Sequence, residues 1–405
     1  ISVSAFLLNR SSDLVVVIIM SKIIHYNLDP IDSEGANINI IWGERSNGKS
    51  YQVKHKKGVL QCLQGGQRFI CNYLDKDHVI KEHLESGFRF ILMRRLKEEL
   101  TPAFIEQYFA DVDIHKITDG EYNCITTYRK QIYLGNYDVE TGKTTRGKMI
   151  GYAAALSTEQ NYAGGSYLDV SDIIFEEFMS RTTYLPDEVN KLMNFYSTID
   201  RKRGFVKLWL VGNTITRVCP YIYDWGLYNI IKNQPQGTIE SLWIPTGDID
   251  DDGNEIEIKI AIEHCKSTGR SSFVIGSHKS MLNKGEWQSD PQPHLPKSYN
   301  CYKMLYRIMF QYKTFKWCGE YLLDEENKDV CWFIYPYTGE IKDNIIVFSD
   351  IIKTSRYYQR DIYNPSIKNK SICDLLKTFK ENMIFYSSDL CGTEFKQAID
   401  FEIRK

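Results

Sequence analysis

The stretch Gly43-Glu44-Arg45-Ser46-Asn47-Gly48-Lys49-Ser50 reads G-x-x-x-x-G-K-S, between the apolar run Ile38, Ile40, Ile41, Trp42 and a helical stretch from Tyr51. Strand, tight loop and helix form the setting in which this pattern is a phosphate-binding loop. Its glycines let the backbone curl until several N–H groups face a polyphosphate, and the helix N-terminus adds partial positive charge. Lys49 then reaches the β- and γ-phosphates, and the Ser50 hydroxyl holds Mg²⁺. Gly43, Glu44, Arg45, Ser46, Asn47, Gly48, Lys49, Ser50 and Tyr51 are therefore the candidate ATP-binding set. The competing reading is a glycine turn with a solvated lysine.

A phosphate-binding loop of this kind demands a mostly parallel sheet with helices on both faces. The chain offers further strands at Phe88–Met93, Tyr167–Phe175 and Val206–Val211. It offers helices around Pro102–Ala110 and Asp187–Ile199, and a hairpin or meander over 123–156 with a polar tip at Asp138–Lys148. Asp172-Ile173-Ile174-Phe175-Glu176-Glu177 buries a strand and delivers two carboxylates at its C-terminal end, where ligands of such sheets bind. Glu176 is the candidate Mg²⁺ partner, through water. Glu177 is the candidate that orients or deprotonates an attacking water. Asn213, at the end of Val211-Gly212-Asn213-Thr214, is read either as a γ-phosphate sensor or as a turn-forming residue. Arg201-Lys202-Arg203 supplies a candidate arginine finger from a neighbouring subunit, or a solvated basic turn.

Composition narrows the remainder. With 27 Tyr, 19 Phe and 7 Trp in 405 residues the chain has ample means to build a core. Ten cysteines form no C-x-x-C pair, so neither zinc nor a disulfide framework is indicated. Leu14–Ile19 is too short to span a bilayer, no other stretch reads as transmembrane, and no membrane partner is expected. Met20-Ser21-Lys22 resembles a natural start, so 1–19 is expected to be an upstream leader or non-native addition. A formal net charge of −2 means that nucleic-acid contact must come from local patches. Candidate patches are Lys54, Lys56 and Lys57 behind the loop, and Arg129, Lys130, Lys143, Arg146 and Lys148 on the meander. Surface solvation competes at each of them.

Taken in order, G-E-R-S-N-G-K-S-Y, L-M-R-R-L-K-E-E-L, I-I-F-E-E-F, Y-L-P-D-E-V-N-K-L-M-N, D-R-K-R and V-G-N-T resemble the genome-packaging ATPase, or encapsidation protein, of small protein-primed podoviruses of the phi-29 group. The likeness runs over roughly 36–225. It implies an ASCE-type ATPase domain at 20–225 and a smaller α+β RNase H-like domain at 298–405 without nuclease activity, an order that strands at Lys303–Tyr312, Phe315–Leu323, Val330–Tyr335 and Asn344–Phe348 and helices near Ser371–Asn382 and Thr393–Glu402 suit. Between the two, 226–297 is rich in Gly, Asp, Ser and Pro and reads as a linker region with a small hairpin or lid near the nucleotide. Asp324, Glu325 and Glu326, in the second domain, are read as a hairpin turn rather than a metal site. The resemblance further implies a ring, a pentamer, that drives double-stranded DNA through the portal into an empty procapsid. A structural packaging RNA is a further partner it allows. The motor would work in the host cytoplasm at the portal vertex and be absent from the mature virion. By the same likeness Glu177 is the catalytic glutamate and Arg201 acts in trans, with Arg203 as fallback. Glu176 departs from the usual Asp. Two other classes remain open: a P-loop kinase or transferase acting on a small molecule, and a non-catalytic assembly protein that uses nucleotide to set ring geometry.

Overall fold

A computed structural model describes residues 26–74, 80–180, 184–214, 217–249, 253–266, 290–350, 357–359, 377 and 384–403, together with a two-residue ladder of Ala5–Phe6 with Val17–Ile18. Met20 and the helix expected near 371–382 lie outside the described residues, apart from 377. The phosphate-loop strand β1 (Ile38–Gly43) leads into α1, a continuous helix formed by Lys49–Val53, Lys54–Leu60 and Gln61–Gln64 that widens to π-type winding over its middle section. A hairpin follows, β2 (Gln67–Leu74) with β3 (Ile80–Ser86), then β4 (Arg89–Arg94) and α2 (Pro102–Tyr108). The meander is β5 (Cys124–Tyr128), β6 (Gln131–Asp138) and β7 (Lys143–Ala155). The chain continues through β8 (Val170–Glu176), α3 (Glu188–Asp200), β9 (Lys207–Asn213), α4 (Pro220–Asp224) and α5 (Tyr228–Asn233).

The region read as linker or lid contains β10 (Thr238–Ile249) and β11 (Glu255–His264), an antiparallel pair. This hairpin does not stand apart: β11 pairs in parallel with β1, and the segment completes a nine-stranded sheet ordered β10-β11-β1-β9-β8-β4-β7-β6-β5. The sequence obscured this because the Gly- and Asp-rich stretch at 247–254 reads like a linker. The alternation Ile258, Ile260, Ile262 is what the sheet buries. Six central strands run parallel, β11 through β7 in that order, with antiparallel strands at both edges.

Both faces are covered, as the two-residue period of the strands dictates. Ile40 and Trp42 of β1, Ile173 and Phe175 of β8, and Leu208 and Leu210 of β9 share one core with Leu192, Phe195 and Ile199 of α3. Ile41, Ile174, Trp209 and Val211 point the other way, into a core with Val53 and Val59 of α1 and Ile105 and Phe109 of the α2 segment. The three- and four-residue spacing of the α3 apolar positions gives that helix its stripe. Its first residue, Glu188, is buried and forks onto Arg95 beyond β4, at 2.9 and 3.0 Å from Nε.

A second sheet follows: β12 (Tyr302–Tyr312), β13 (Phe315–Asp324), β14 (Val330–Pro336), β15 (Val347–Ser349), β16 (Tyr358–Gln359) and β17 (Ile384–Tyr386), with α6 (Asp389–Ile403) packed on it. Its order is β16-β15-β12-β13-β14-β17. Asp324 caps the turn after β13, accepting from the Glu326 and Asn327 amides at 2.9 and 3.3 Å. The two sheets meet where Tyr223 and Tyr228 pack edge-on against Phe315, and where Arg217 pairs with Glu394 of α6 at 2.7 Å. Among the described residues no helix is long and apolar enough to cross a membrane.

Removing one partner of a buried ion pair leaves the other charge stranded, at a cost of roughly 3–5 kcal/mol. Glu188→Ala should therefore lower the urea midpoint steeply, because Arg95 keeps its charge in a dry site. A midpoint equal to that of the parent chain would refute this role for the pair.

Candidate functional site

Three neighbouring parallel strands end together. Gly43 of β1 lies opposite Asn213 of β9, and Val211 of β9 lies opposite Glu176 of β8. The registers alone bring the glycine-rich loop, the sensor candidate and the acidic pair to one edge. Gly48 has φ +93°, which lets the loop close directly onto the first turn of α1. The loop is pinned from behind, as the Tyr26 amide donates to the Asn47 carbonyl at 3.1 Å.

Lys49 is buried and folded into its own loop. Its ammonium donates to the Glu44 carbonyl at 2.5 Å, to Asn47 Oδ1 at 3.1 Å and to Asn213 Oδ1 at 3.4 Å. Burial holds its pKa below the usual lysine value, with the nearby carboxylates opposing. A cation kept dry on neutral oxygens gains greatly from an arriving anion. Arg45 and Ser46 of the loop are exposed, whereas Glu44 and Asn47 are buried.

Glu176 is buried too. Ser50 Oγ donates to its Oε2 at 2.9 Å, and the Tyr108 hydroxyl donates to Oε1 at 2.7 Å. Burial raises its pKa, opposed by these two hydrogen bonds and by the more distant Arg94 and Lys54. Its donors are neutral hydroxyls, so a divalent cation would find here an anionic oxygen whose charge no direct partner cancels. The Thr214 hydroxyl, one residue past Asn213 and buried, has no hydrogen-bond partner among the described residues. This orphaned group beside the loop, with the dry lysine and the hydroxyl-held carboxylate, fits a bound nucleotide and Mg²⁺.

Glu177 turns away from Glu176. It has φ +56°, an uncommon conformation for a non-glycine residue, and its half-exposed carboxylate accepts from Arg94 at 3.0 Å. Arg95 holds the carbonyls of Glu177 and Phe178, at 3.3 and 2.6 Å, while gripping Glu188. The corner fits because residue 212 is glycine: a Cβ there would sit 2.7 Å from the Phe178 ring. From the sequence, Arg94 and Arg95, an arginine pair at the end of a buried strand, are expected to serve the nucleotide pocket or a subunit interface, and Tyr108 to share one apolar face with Phe104, Ile105 and Phe109. The contact of its hydroxyl with Glu176 leaves no signal in the sequence.

The other candidates fall elsewhere. Arg201 caps α3 with φ +49° and donates to the Gly165 carbonyl at 2.5 Å. It precedes β9, so it lies at the opposite edge of the sheet from Lys49, roughly 20 Å away along a seven-residue strand. It cannot serve its own phosphate site. Arg203, the fallback finger, donates to the carbonyls of Asp200, Leu168, Tyr167, Val170 and Ile199. That guanidinium is consumed in stapling the loop, which removes it as a finger. Lys54 pairs with Asp111, Lys56 with Asp29 and Lys57 with Asp32, at 2.5, 2.5 and 2.7 Å. Contrary to expectation, these three are tied to acids from other segments of the chain. Lys148 donates to the Cys62 carbonyl at 3.0 Å and fastens the end of α1. Arg129 and Lys130 form the β5–β6 turn at the phosphate-loop edge, and Lys143 starts β7 at the far edge. Arg146 lies over the Tyr128 ring at 4.2 Å. The meander cations therefore do not make one patch.

Beneath the loop, the Tyr26 hydroxyl donates to Glu263 at 2.5 Å, and His264 stacks on Trp42 with centroids 3.7 Å apart. Burial pushes Glu263 up to about 7, partly offset by the Tyr26 hydrogen bond.

Residues 66–236 match the profile of the podovirus DNA encapsidation protein (Gp16) family. The DNA packaging protein of Bacillus phage phi29 is 28% identical over 211 residues, covering 51% of this chain and 52% of the relative. That of Bacillus phage B103 is 28% identical over 172 residues, covering 42% and 48%. The chain thus spans about half the length of the curated relatives it matches. The phi29 viral genome packaging motor assembly aligns with a TM-score of 0.50 at 20% identity, over 94% of this chain and 99% of that one, which is a likeness of fold. The likeness read from the motifs is thus shown from the β2–β3 hairpin through α5; the phosphate loop itself precedes the matched span.

The folded chain prefers Glu263 protonated, so that contribution to stability is fully present below pH 4.5 and is lost as the pH rises through 7. Glu263→Gln should flatten the fall in melting temperature between about pH 5 and 8. A fall as steep as that of the parent would place Glu263 at an ordinary pKa.

Proposed function

We propose that this chain, a relative of the phi29-type DNA packaging proteins, is the ATP-hydrolysing subunit of a viral motor that moves double-stranded DNA through a portal into a procapsid. The observation that carries the reading is the meeting of Lys49, Ser50, Glu176 and Asn213 at the ends of adjacent parallel strands. Strand β9 stands between the phosphate-loop strand and the acid-bearing strand, which supports an ASCE-type ATPase. Lys49 and the loop amides would hold the phosphates of ATP. Ser50 and Glu176 would hold Mg²⁺, which when bound supplies charge neutralisation at the transferring phosphoryl group. Glu177, freed from Arg94, would orient the attacking water.

Arg201 faces away from its own loop, which supports service to the next subunit and hence a head-to-tail ring; a pentamer follows from the family likeness. Arginine fingers contribute about 10³–10⁵ in rate. DNA is gripped through phosphates without sequence preference, with steep salt dependence. Arg129 and Lys130 are the meander cations placed at the nucleotide edge. The C-terminal meander β12–β13–β14, continued on the β12 side by parallel β15 and β16, supports an RNase H-like unit. Asp324 is spent on a turn and on Lys297 at 2.8 Å, which supports a unit without nuclease chemistry. The portal and a structural RNA are the partners such a motor would dock on, in the host cytoplasm and only during packaging.

The test is ATP turnover with and without double-stranded DNA. Lys49→Ala and Glu177→Gln should each abolish it, and DNA should raise it in the parent. Arg201→Ala should be inactive alone but regain partial turnover when mixed with Glu177→Gln subunits, at interfaces that carry one intact copy of each. Full activity of Arg201→Ala alone would overturn the trans assignment. Turnover indifferent to DNA would favour a small-molecule kinase or transferase, and no turnover at all would favour a non-catalytic assembly protein.

A further inference from the structure

Tyr108 ends α2 and packs among Phe104 and Phe109, with ring centroids 6.1 and 4.9 Å away. A phenylalanine would serve that packing equally well. The hydroxyl is what packing does not explain, and it donates to Glu176 Oε1 at 2.7 Å. Ser50 takes the other oxygen at 2.9 Å, so both carboxylate oxygens are fixed from opposite sides.

Tyr108 is itself fixed from the phosphate-loop helix. Lys54 stands one turn beyond Ser50 on α1, with its ammonium 4.6 Å from the centroid of the Tyr108 ring. The same ammonium donates to the Tyr108 carbonyl and pairs with Asp111 at 2.5 Å. Lys54 is thus a brace within the site, and the helix that carries Ser50 also sets the tyrosine facing it.

Glutamate has one more rotatable bond than the aspartate usual at this position in the resembling family. A longer acid locates an oxygen less sharply unless something holds it. A serine hydroxyl has one proton and two lone pairs, so Ser50 can keep donating to Glu176 while offering a lone pair to a metal. We propose that Tyr108 is a positioning residue for the divalent-metal site: its hydroxyl locks the longer Glu176 side chain against Ser50, and so makes a glutamate serviceable there. The proposal deepens the nucleotide-site reading and rests on it.

The test is binding rather than turnover. Free Mn²⁺ is followed by electron paramagnetic resonance as it is titrated into full-length protein with a non-hydrolysable ATP analogue. Metal-free affinity for a fluorescent ATP analogue is measured alongside. Tyr108→Phe should leave metal-free nucleotide affinity within about twofold and weaken Mn²⁺ binding about tenfold, the scale on which partners of metal ligands act. Glu176→Asp should weaken Mn²⁺ binding by a similar factor, because the shorter acid, kept by Ser50, no longer reaches Tyr108. Adding Tyr108→Phe to Glu176→Asp should then cost less than about twofold more, since the hydroxyl has already lost its partner. Mn²⁺ binding by Tyr108→Phe equal to the parent, or fully additive losses in the double variant, would overturn the proposal. A parent protein that binds neither analogue nor Mn²⁺ would overturn the nucleotide-site reading instead, so the two failures are distinct. Thermal melting of each variant, within a few degrees of the parent, separates metal loss from unfolding; should Tyr108→Phe melt early, the Glu176→Asp titration alone decides, parental affinity there refuting the lock.

Discussion

Parallel pairing among β1, β9 and β8 is the constraint from which the site follows. Each strand is buried on both faces, so its register is set by side chains that fill two cores at once. A slip of one residue would send Ile40 and Trp42 into the core meant for Ile41, and would carry Asn213 away from Gly43. The polar groups beyond the strand ends are therefore located to within a residue by apolar packing beneath them. The glycine-rich loop adds a left-handed backbone at Gly48, but its position comes from the sheet.

The site is arranged as a set of cations and anions kept apart. Lys49 rests on neutral oxygens, Glu176 on hydroxyls, and Glu177 on Arg94 a corner away. Each is held in a place it would leave, or share, when a polyphosphate and a metal supply the missing charges. Glu177 and, at the opposite end of the sheet, Arg201 are two of the ten described non-glycine residues with positive φ. Neither is glycine, so the surrounding contacts must hold both conformations against a cost of about 1–3 kcal/mol each. Arg95 supplies that hold for the first. For the second, Asp200 accepts from the amides of Gly204 and Val206, at 2.9 and 3.2 Å, and fixes the turn that Arg201 begins.

The coupling of the two sheets runs close to Asn213. Arg217 stands four residues beyond Asn213 and pairs with Glu394 of α6, in a collar of Tyr223, Tyr228 and Phe315. Four residues of chain and one ion pair therefore link the end of β9 to the C-terminal unit.

The loop, the acidic strand end, the two-sided core and most of the C-terminal strands are legible along the chain, because they follow from local periodicity and from glycine at positions only glycine serves. The sequence also places Glu176 and Glu177 together, adjacent residues at the end of one apolar run. Which charges are already spent emerges only on folding. Lys54, Lys56 and Lys57 look like a basic patch in sequence, yet Asp111, Asp29 and Asp32 approach them from distant segments. Arg203 looks as free as Arg201 until the carbonyls of 167–170 close around it. Tyr108 looks like core until its hydroxyl meets Glu176. The hairpin at 238–264 looks like a linker until its second strand meets β1. Local patterns are set by neighbours a few residues away, whereas pairing of charge and of sheet edges is set by long-range contacts that no spacing along the chain encodes.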